Sequence, residues 1–111
     1  MQLESFGKHI KKLRSSKGLL LREVAAYLEI DPSLLSRIES DRKRPSRDHV
    51  IQLAVILGAD ENELLVLYLS DKIIYELKGE TLAMRAMLVA EIKIRYLSDQ
   101  THDQNNINEE K

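Results

Sequence analysis

The segment LREVAAYLEIDPSLLSRIES, residues 21–40, contains two short apolar patterns separated by a polar joint. The residues that recur at the spacing of one helix face are Val24, Ala25 and Leu28 before the joint, and Leu35 and Ile38 after it. Asp31 is a favoured N-cap residue, and Pro32 suits the first helical position because its missing N–H is not needed there. The segment therefore predicts two short helices that meet at a tight turn.

Similar patterns predict further helices on both sides of this pair and no strand. The six predicted helices span about residues 3–17, 21–29, 32–40, 47–57, 61 onward and 81–98. The other residues assigned to the core are Phe6, Ile10, Leu13, Val50, Leu53, Ala54 and Leu57. The predicted helix ends are marked by N-caps at Ser46, Asp60 and Thr81, and by Gly18 and Gly58 as terminating glycines. The fifth helix ends near Leu69 or continues to about Leu77, where it would form a hairpin with the sixth.

Two short helices that cross steeply at a tight turn present the first turn of the second helix outward. This is the helix-turn-helix arrangement, whose second helix can enter the major groove of DNA. The basic run Arg42, Lys43 and Arg44 follows this helix directly. Cations at that place would face the phosphate backbone, which supplies most of the affinity for a duplex.

The composition narrows the class of protein. The chain has 111 residues and no cysteine, and its net charge of -1 conceals an uneven distribution. Residues 1–58 hold eleven Lys or Arg against seven Asp or Glu, whereas residues 59–111 hold six against eleven. No signal peptide and no membrane-spanning run is recognised, so a soluble, cytoplasmic protein that does not use a membrane is expected.

Residues 6–65 resemble the Xre/Cro family of lambda-repressor-like DNA-binding domains. The segments that carry the resemblance are FGKHIKKLRSSKGL, REVAAYLEIDPSLLSRIES, RKRPS and VIQLAVILGADENELL. The resemblance implies an all-α fold with a five-helix helix-turn-helix domain, to which a C-terminal helical extension or hairpin is added. The chain is also similar to the small controller proteins of restriction-modification systems, through REVAAYL and the appended helices.

The resemblance assigns roles to individual positions. The proposed base contacts are Pro32, Ser33, Leu34 and Arg37. The proposed phosphate contacts are Arg22, Ser40, Arg42, Lys43 and Arg44. Arg37 is the best candidate for a bidentate hydrogen-bonded contact with guanine, and Leu34 is the candidate for contact with a thymine methyl group. Arg14 and Glu39 match a pair that forms a structural salt bridge between the first and third helices.

Three positions depart from the family pattern. Leu21 stands where a phosphate-binding Gln is common, and Pro32 stands where a polar base-contacting residue is common. Asp41 replaces the usual Gly after the third helix, at a position that asks for a left-handed backbone. The first two departures affect specific contacts, and the third affects only the local turn.

The two C-terminal helices carry a large apolar surface. Packing against each other and against one small bundle cannot bury all of it. A helix that is apolar on two sides usually has two partners. We therefore expect a homodimer that reads a palindromic operator, with dimerisation through Ile73, Leu77, Leu88 and Ile92. The corresponding domains are residues 1–69 for DNA binding, 70–98 for dimerisation and 99–111 as a disordered polar tail.

No catalytic or metal-binding constellation is apparent. The histidines are scattered, and neither a Gly-rich phosphate loop nor a nucleophile elbow occurs, so no enzyme, metal or cofactor is expected. Two alternatives to an operator-binding repressor or controller remain. One is an antitoxin-like protein whose acidic rear half binds a partner protein, and the other is a protein-interaction module that has kept the fold without binding DNA.

Overall fold

The computed structural model describes the backbone of residues 4–110 and the side chains of residues 4–100. Within this range every regular element is an α-helix. The helices are α1 (Phe6–Ser16), α2 (Leu21–Leu28), α3 (Pro32–Glu39), α4 (Arg47–Leu57), α5 (Glu61–Leu77) and α6 (Ala83–Glu110). The predicted fold class, five helices followed by a C-terminal helical extension, is confirmed.

Short polar side chains fix where most of the helices begin. Asp31 accepts a hydrogen bond from the N–H of Ser33, and Ser46 accepts one from the N–H of His49. Asp60 likewise accepts from the N–H of Glu63. These bonds satisfy amide groups that have no partner within the helix, and they confirm the predicted caps of α3, α4 and α5.

The core lies among the first five helices. Its buried hydrophobic residues are Phe6, Ile10, Val24, Ala25, Leu28, Leu35, Ile38, Val50, Leu53, Ala54, Leu57, Leu64 and Leu65. The core residues predicted from helical periodicity are all buried except Leu13, which is partly buried and packs against the others. Burial of the apolar stripes of α2 and α3 against α1 and α4 holds the two central helices in a fixed crossing.

The ends of α1, α5 and α6 refine the predicted boundaries. α1 begins at Phe6, with Ser5 as its N-cap, rather than near residue 3. α5 continues to Leu77. α6 begins at Ala83, so the predicted cap at Thr81 is wrong: Leu82 directly precedes the helix, and the carbonyl of Glu80 accepts the N–H of Ala83.

α6 also continues through residues 99–110, where the sequence analysis predicted a disordered tail. That segment is polar, but it contains neither Gly nor Pro to terminate a helix already formed upstream. Lys111 lies outside the described residues.

The chain divides into two compact units, residues 1–76 and residues 77–111. The first unit contains α1 to α4 and nearly all of α5, and the second contains α6. None of the helices, over the part of the chain that the structure describes, is both long enough and apolar enough to cross a membrane. The assignment of separate functions to the predicted ranges stays a prediction.

Candidate nucleic-acid interface

α3 presents two different faces. Leu35 and Ile38 are fully buried, whereas Ser33, Ser36 and Arg37 are exposed on the side away from the core. Because positions 33, 36 and 37 follow helical spacing, their side chains share one surface. α3 therefore offers a polar face with one cationic side chain, on a helix whose other face is locked into the core.

An ion pair fixes the C-terminal end of α3 against α1. The Nε and Nη2 atoms of Arg14 donate to the two carboxylate oxygens of Glu39, over 2.7 and 3.0 Å. Nη1 of Arg14 also donates to the carbonyl of Leu19, in the loop before α2. The hydrogen bond to Glu39, followed by the charge of that carboxylate, raises the pKa of Arg14 against the opposing effect of burial. The pair thus holds the C-terminal end of α3 against α1 and the loop before α2.

The N-terminal turn of α3 is organised by Asp31 and Ser33. One carboxylate oxygen of Asp31 accepts from both the hydroxyl and the backbone N–H of Ser33, over 2.6 and 2.8 Å. These two hydrogen bonds, the side-chain one first, lower the pKa of Asp31, and the positive charge of Arg37 lowers it further. Because the Ser33 hydroxyl donates to Asp31, its lone pairs remain available to an outside hydrogen-bond donor.

The remaining predicted base contacts, Pro32, Leu34 and Arg37, differ in exposure. Pro32 and Arg37 are exposed, whereas Leu34 is half-buried and packs partly against the core. The Arg37 side chain forms no hydrogen bond or ion pair with any residue whose side chain is described. Its guanidinium can therefore turn toward an outside acceptor without breaking a contact of that kind.

The carbonyl group of Arg37 closes the end of α3 and begins the basic loop, residues 42–44. The backbone N–H groups of Arg42 and Lys43 donate to it over 2.9 and 3.3 Å, and the Ser40 hydroxyl donates to it over 3.2 Å. The side chains of the basic loop are all exposed. Three exposed cations therefore directly follow the C-terminal end of α3.

Asp41 has a role that the sequence analysis missed. Its φ angle of 63° confirms the predicted left-handed backbone. In addition, its carboxylate accepts from the N–H of Gly7 over 3.0 Å and from the hydroxyl of Ser5. A negative charge at the start of α1 is also favoured by the helix dipole. The Asp41 side chain thus links the turn after α3 to α1 through hydrogen bonds that a glycine at this position could not form.

Gly7 permits this close approach. A Cβ atom at Gly7 would lie 2.5 Å from a carboxylate oxygen of Asp41 and 2.8 Å from the carbonyl oxygen of Glu39, and still closer to the carbonyl of Ile38. Only glycine lets the backbone of α1 rest on the end of α3. A single glycine inside a helical pattern is the sequence signal that could have indicated this contact.

Residues of α5 also reach the basic loop and the start of α1. The ring of Tyr75 lies 4.2 Å from the guanidinium carbon of Arg44. Asp71 accepts from the N–H of Phe6 over 2.8 Å. Neither contact was predicted from the sequence. A polar stripe at helical spacing, residues 68, 71 and 75, was the available signal.

The remaining predicted positions are placed as follows. Arg22 is exposed at the start of α2. Leu21, one of the departures from the expected family pattern, packs against the core and so contributes to stability. Among the predicted dimerisation residues, Ile73 is 42% exposed and Leu77 is half-buried. In the second unit, Leu88 and Ile92 are 59% and 67% exposed.

No group of His, Cys, Asp and Glu suited to a metal ion occurs among the described side chains. The family described as "Helix-turn-helix domain" matches residues 5–67. The chain belongs to that family. It is of the Xre/Cro type that the sequence resembles, a class of DNA-binding transcriptional regulators, and the match ends within α5.

Two solved structures are similar to part of this chain. The clp gene regulator ClgR from C. glutamicum is 29% identical, covers 60% of this chain and 86% of its own, and superposes with a TM-score of 0.51. The N-terminal DNA-binding domain of SinR from Bacillus subtilis is 31% identical, covers 54% of this chain and 88% of its own, and gives a TM-score of 0.49. No curated protein sequence matches the chain.

Proposed function

We propose that this helix-turn-helix protein is a dimeric repressor or controller that binds a palindromic operator, including one that governs its own gene. The observation that carries the proposal is the exposed polar face of α3, with Ser33 and Arg37, followed immediately by the basic loop. In this arrangement α3 enters the major groove while the loop contacts phosphates on its flank.

Arg37 is the proposed base reader. Its guanidinium matches the two acceptors that guanine presents in the major groove, and such a contact contributes about 1–3 kcal/mol of discrimination. Pro32, Ser33 and Leu34 would line the same groove at the start of α3. Arg22 and Ser40 would contact phosphate beside the basic loop.

Dimerisation follows from the limited reach of one recognition helix. A single α3 reads only a few base pairs, and two related by a two-fold axis read a palindrome whose half-sites lie roughly 34–36 Å apart. The exposed apolar side chains of Ile73, Leu88 and Ile92, together with the half-buried Leu77, supply the proposed interface. A long helix with this much apolar surface gains most of its stability from packing against a partner.

A binding assay tests the proposal. The purified protein is titrated with the duplex that lies upstream of its own gene and with a scrambled duplex of the same composition, at low and moderate salt. We expect preference for the native duplex, with an affinity that falls by roughly 10³–10⁵ as salt rises from about 50 to 200 mM, if 6–10 phosphates are contacted.

Two single-residue variants test whether α3 carries the preference for the native duplex. Arg37→Ala should abolish the preference for the native duplex, whereas Lys11→Ala, which removes an equal charge from α1, should retain it. Equal and weak binding of the wild-type protein to both duplexes would argue against autoregulation. Binding insensitive to salt would argue against a DNA-binding role.

The second candidate is an antitoxin-like or protein-interaction module whose rear half binds a partner protein. The observation that favours it is the exposed apolar surface of α6 together with the excess of Asp and Glu in residues 59–111. Isolation of a stoichiometric basic protein with the chain from its native host would support this candidate. A purely dimeric preparation would favour the first.

A further inference from the structure

The second half of α5 uses one face to contact the start of α1 and the basic loop. Asp71 accepts the N–H of Phe6, and the ring of Tyr68 packs edge-on against the ring of Phe6, with centroids 6.2 Å apart. One turn further along α5, the ring of Tyr75 lies against Arg44. Because positions 68, 71 and 75 share one helix face, the contacts at Phe6 fix the face that Tyr75 presents to the basic loop.

The geometry of the Arg44–Tyr75 contact leaves the donors of Arg44 available. The guanidinium carbon lies 4.2 Å from the ring centroid, within the range of a cation–π interaction. Such a contact uses the ring face, whereas the N–H groups of a guanidinium point outward from its edges in a fixed fork. Arg44 forms no hydrogen bond or ion pair with any residue whose side chain is described, so its N–H edges are open to phosphate oxygens.

We propose that Tyr75 is a positioning residue for DNA binding: it holds the Arg44 guanidinium in place so that its N–H edges meet a backbone phosphate. This inference rests on the proposed function, because it requires that the basic loop faces DNA. Tyr75 itself does not touch the nucleic acid in this arrangement. It acts by restricting a long, flexible side chain before binding, which lowers the entropy lost when the contact with phosphate forms.

The neighbouring cations of the loop provide an internal comparison. Arg42 and Lys43 are exposed and have no aromatic ring beside them among the described side chains. Arg44 is thus the one cation of the basic loop that is ordered in advance. Its removal should therefore cost more affinity than the removal of Arg42 or Lys43.

A double-mutant cycle tests the inference. The probe is a mixed-sequence DNA duplex, because contacts with phosphate do not depend on the operator. Tyr75 is 62% exposed, so Tyr75→Leu should fold normally. We expect Tyr75→Leu to weaken binding by about 2- to 10-fold. Tyr75→Phe, which keeps the ring, should bind like the wild type. Tyr75→Leu combined with Arg44→Ala should be no weaker than Arg44→Ala alone.

A spectroscopic measurement on the free protein separates positioning from general damage. The ring current of Tyr75 should shift the NMR resonances of the Arg44 side chain. This shift should persist in Tyr75→Phe and disappear in Tyr75→Leu. The matched control is Tyr27→Leu, which removes an exposed tyrosine of α2 that has no cation over its ring among the described side chains. The effect of Tyr27→Leu on the free energy of DNA binding should add in full to that of Arg44→Ala.

Three outcomes would overturn the inference. In the first, Tyr75→Leu binds like the wild type although Arg44→Ala binds weakly. In the second, the losses of DNA-binding free energy caused by Tyr75→Leu and Arg44→Ala add in full. In the third, the Arg44 resonances are the same in Tyr75→Leu and in the wild type. If the wild-type protein binds no duplex at all, the proposed function fails together with the inference, which distinguishes that case from the other three.

Discussion

The guanidinium of Arg14 and the carboxylate of Glu39 form two hydrogen bonds, of 2.7 and 3.0 Å, that join α1 to the last turn of α3. Their side chains are only 14% and 6% exposed. Water therefore screens this pair less than it screens a pair on the surface. The orientation of α3, and with it the direction of Arg37 and the basic loop, depends on this contact.

Removal of one partner of this pair should lower the free energy of unfolding. Glu39→Ala leaves the Arg14 charge in a mostly buried site without its carboxylate, and we expect the free energy of unfolding to fall by roughly 3 kcal/mol. Urea denaturation followed by circular dichroism measures this change. The double variant Arg14→Met, Glu39→Leu removes both charges and should recover most of the loss. A loss of only a few tenths of a kcal/mol would show that the pair behaves as an ordinary surface ion pair.

Gly7→Ala tests the close approach of α1 to the end of α3. Alanine ordinarily stabilises a helix by about 1 kcal/mol relative to glycine. Here the new Cβ atom would meet three oxygen atoms, including the carbonyl of Glu39 at 2.8 Å, so we expect a net loss of about 1–3 kcal/mol. Thermal unfolding provides the measurement, with the exposed Lys8→Ala in the same helix as control. Stabilisation by Gly7→Ala would contradict the observed packing.

The lowered pKa of Asp31 predicts that the stability of the folded protein depends on pH. The ordinary value for this carboxyl group is 3.8, and the hydrogen bonds from Ser33 lower it in the folded protein. The stabilisation is therefore fully present above the unfolded pKa and is lost as the pH falls through the folded pKa. Asp31→Asn keeps a capping oxygen that does not titrate. The stability advantage of the wild type over Asp31→Asn should thus shrink below about pH 4. A constant difference across this range would contradict the assignment.

Local chemistry explains why much of the fold was predictable. Asp31, Pro32 and Ser46 each have a strong positional preference, so the starts of α3 and α4 follow directly from their neighbours in sequence. The apolar spacing of α2 and α3 identified their buried faces for the same reason. Thr81 failed as a cap because α6 begins two residues later, at Ala83, whose N–H donates to the carbonyl of Glu80.

Contacts between distant segments were harder to predict. The Arg14–Glu39 pair came from the family resemblance, since nothing in local sequence joins residues 25 positions apart. The approach of Gly7 to Asp41 depends on how closely two backbones pack, which residue types alone do not determine. The Arg44–Tyr75 contact depends on the direction of α5 relative to the basic loop. The exposed polar face of α3 and the Arg14–Glu39 pair were predicted, whereas the Gly7–Asp41 and Arg44–Tyr75 contacts were not.

The proposed dimer gives a direct prediction about the rear half. Ile92→Glu places a charge on an exposed apolar position of α6 and should dissociate the dimer, because burial of an unpaired carboxylate is unfavourable. Ser98→Glu adds the same charge at an exposed polar position of the same helix and should leave the dimer intact. Sedimentation velocity distinguishes the two species. A wild-type protein that is monomeric at tens of micromolar would exclude this interface.

The measurement that tests the central claim most directly is selection of binding sites from a pool of random duplexes, carried out in parallel with the wild type and Arg37→Ala. The wild type should enrich a sequence with two inverted half-sites whose centres lie about 10 base pairs apart, or a multiple of that spacing. Each half-site should contain a guanine whose preference is lost, symmetrically, with Arg37→Ala. Enrichment of no sequence, of a single unrepeated site, or of the same guanines by Arg37→Ala would contradict a dimer that reads its operator through α3.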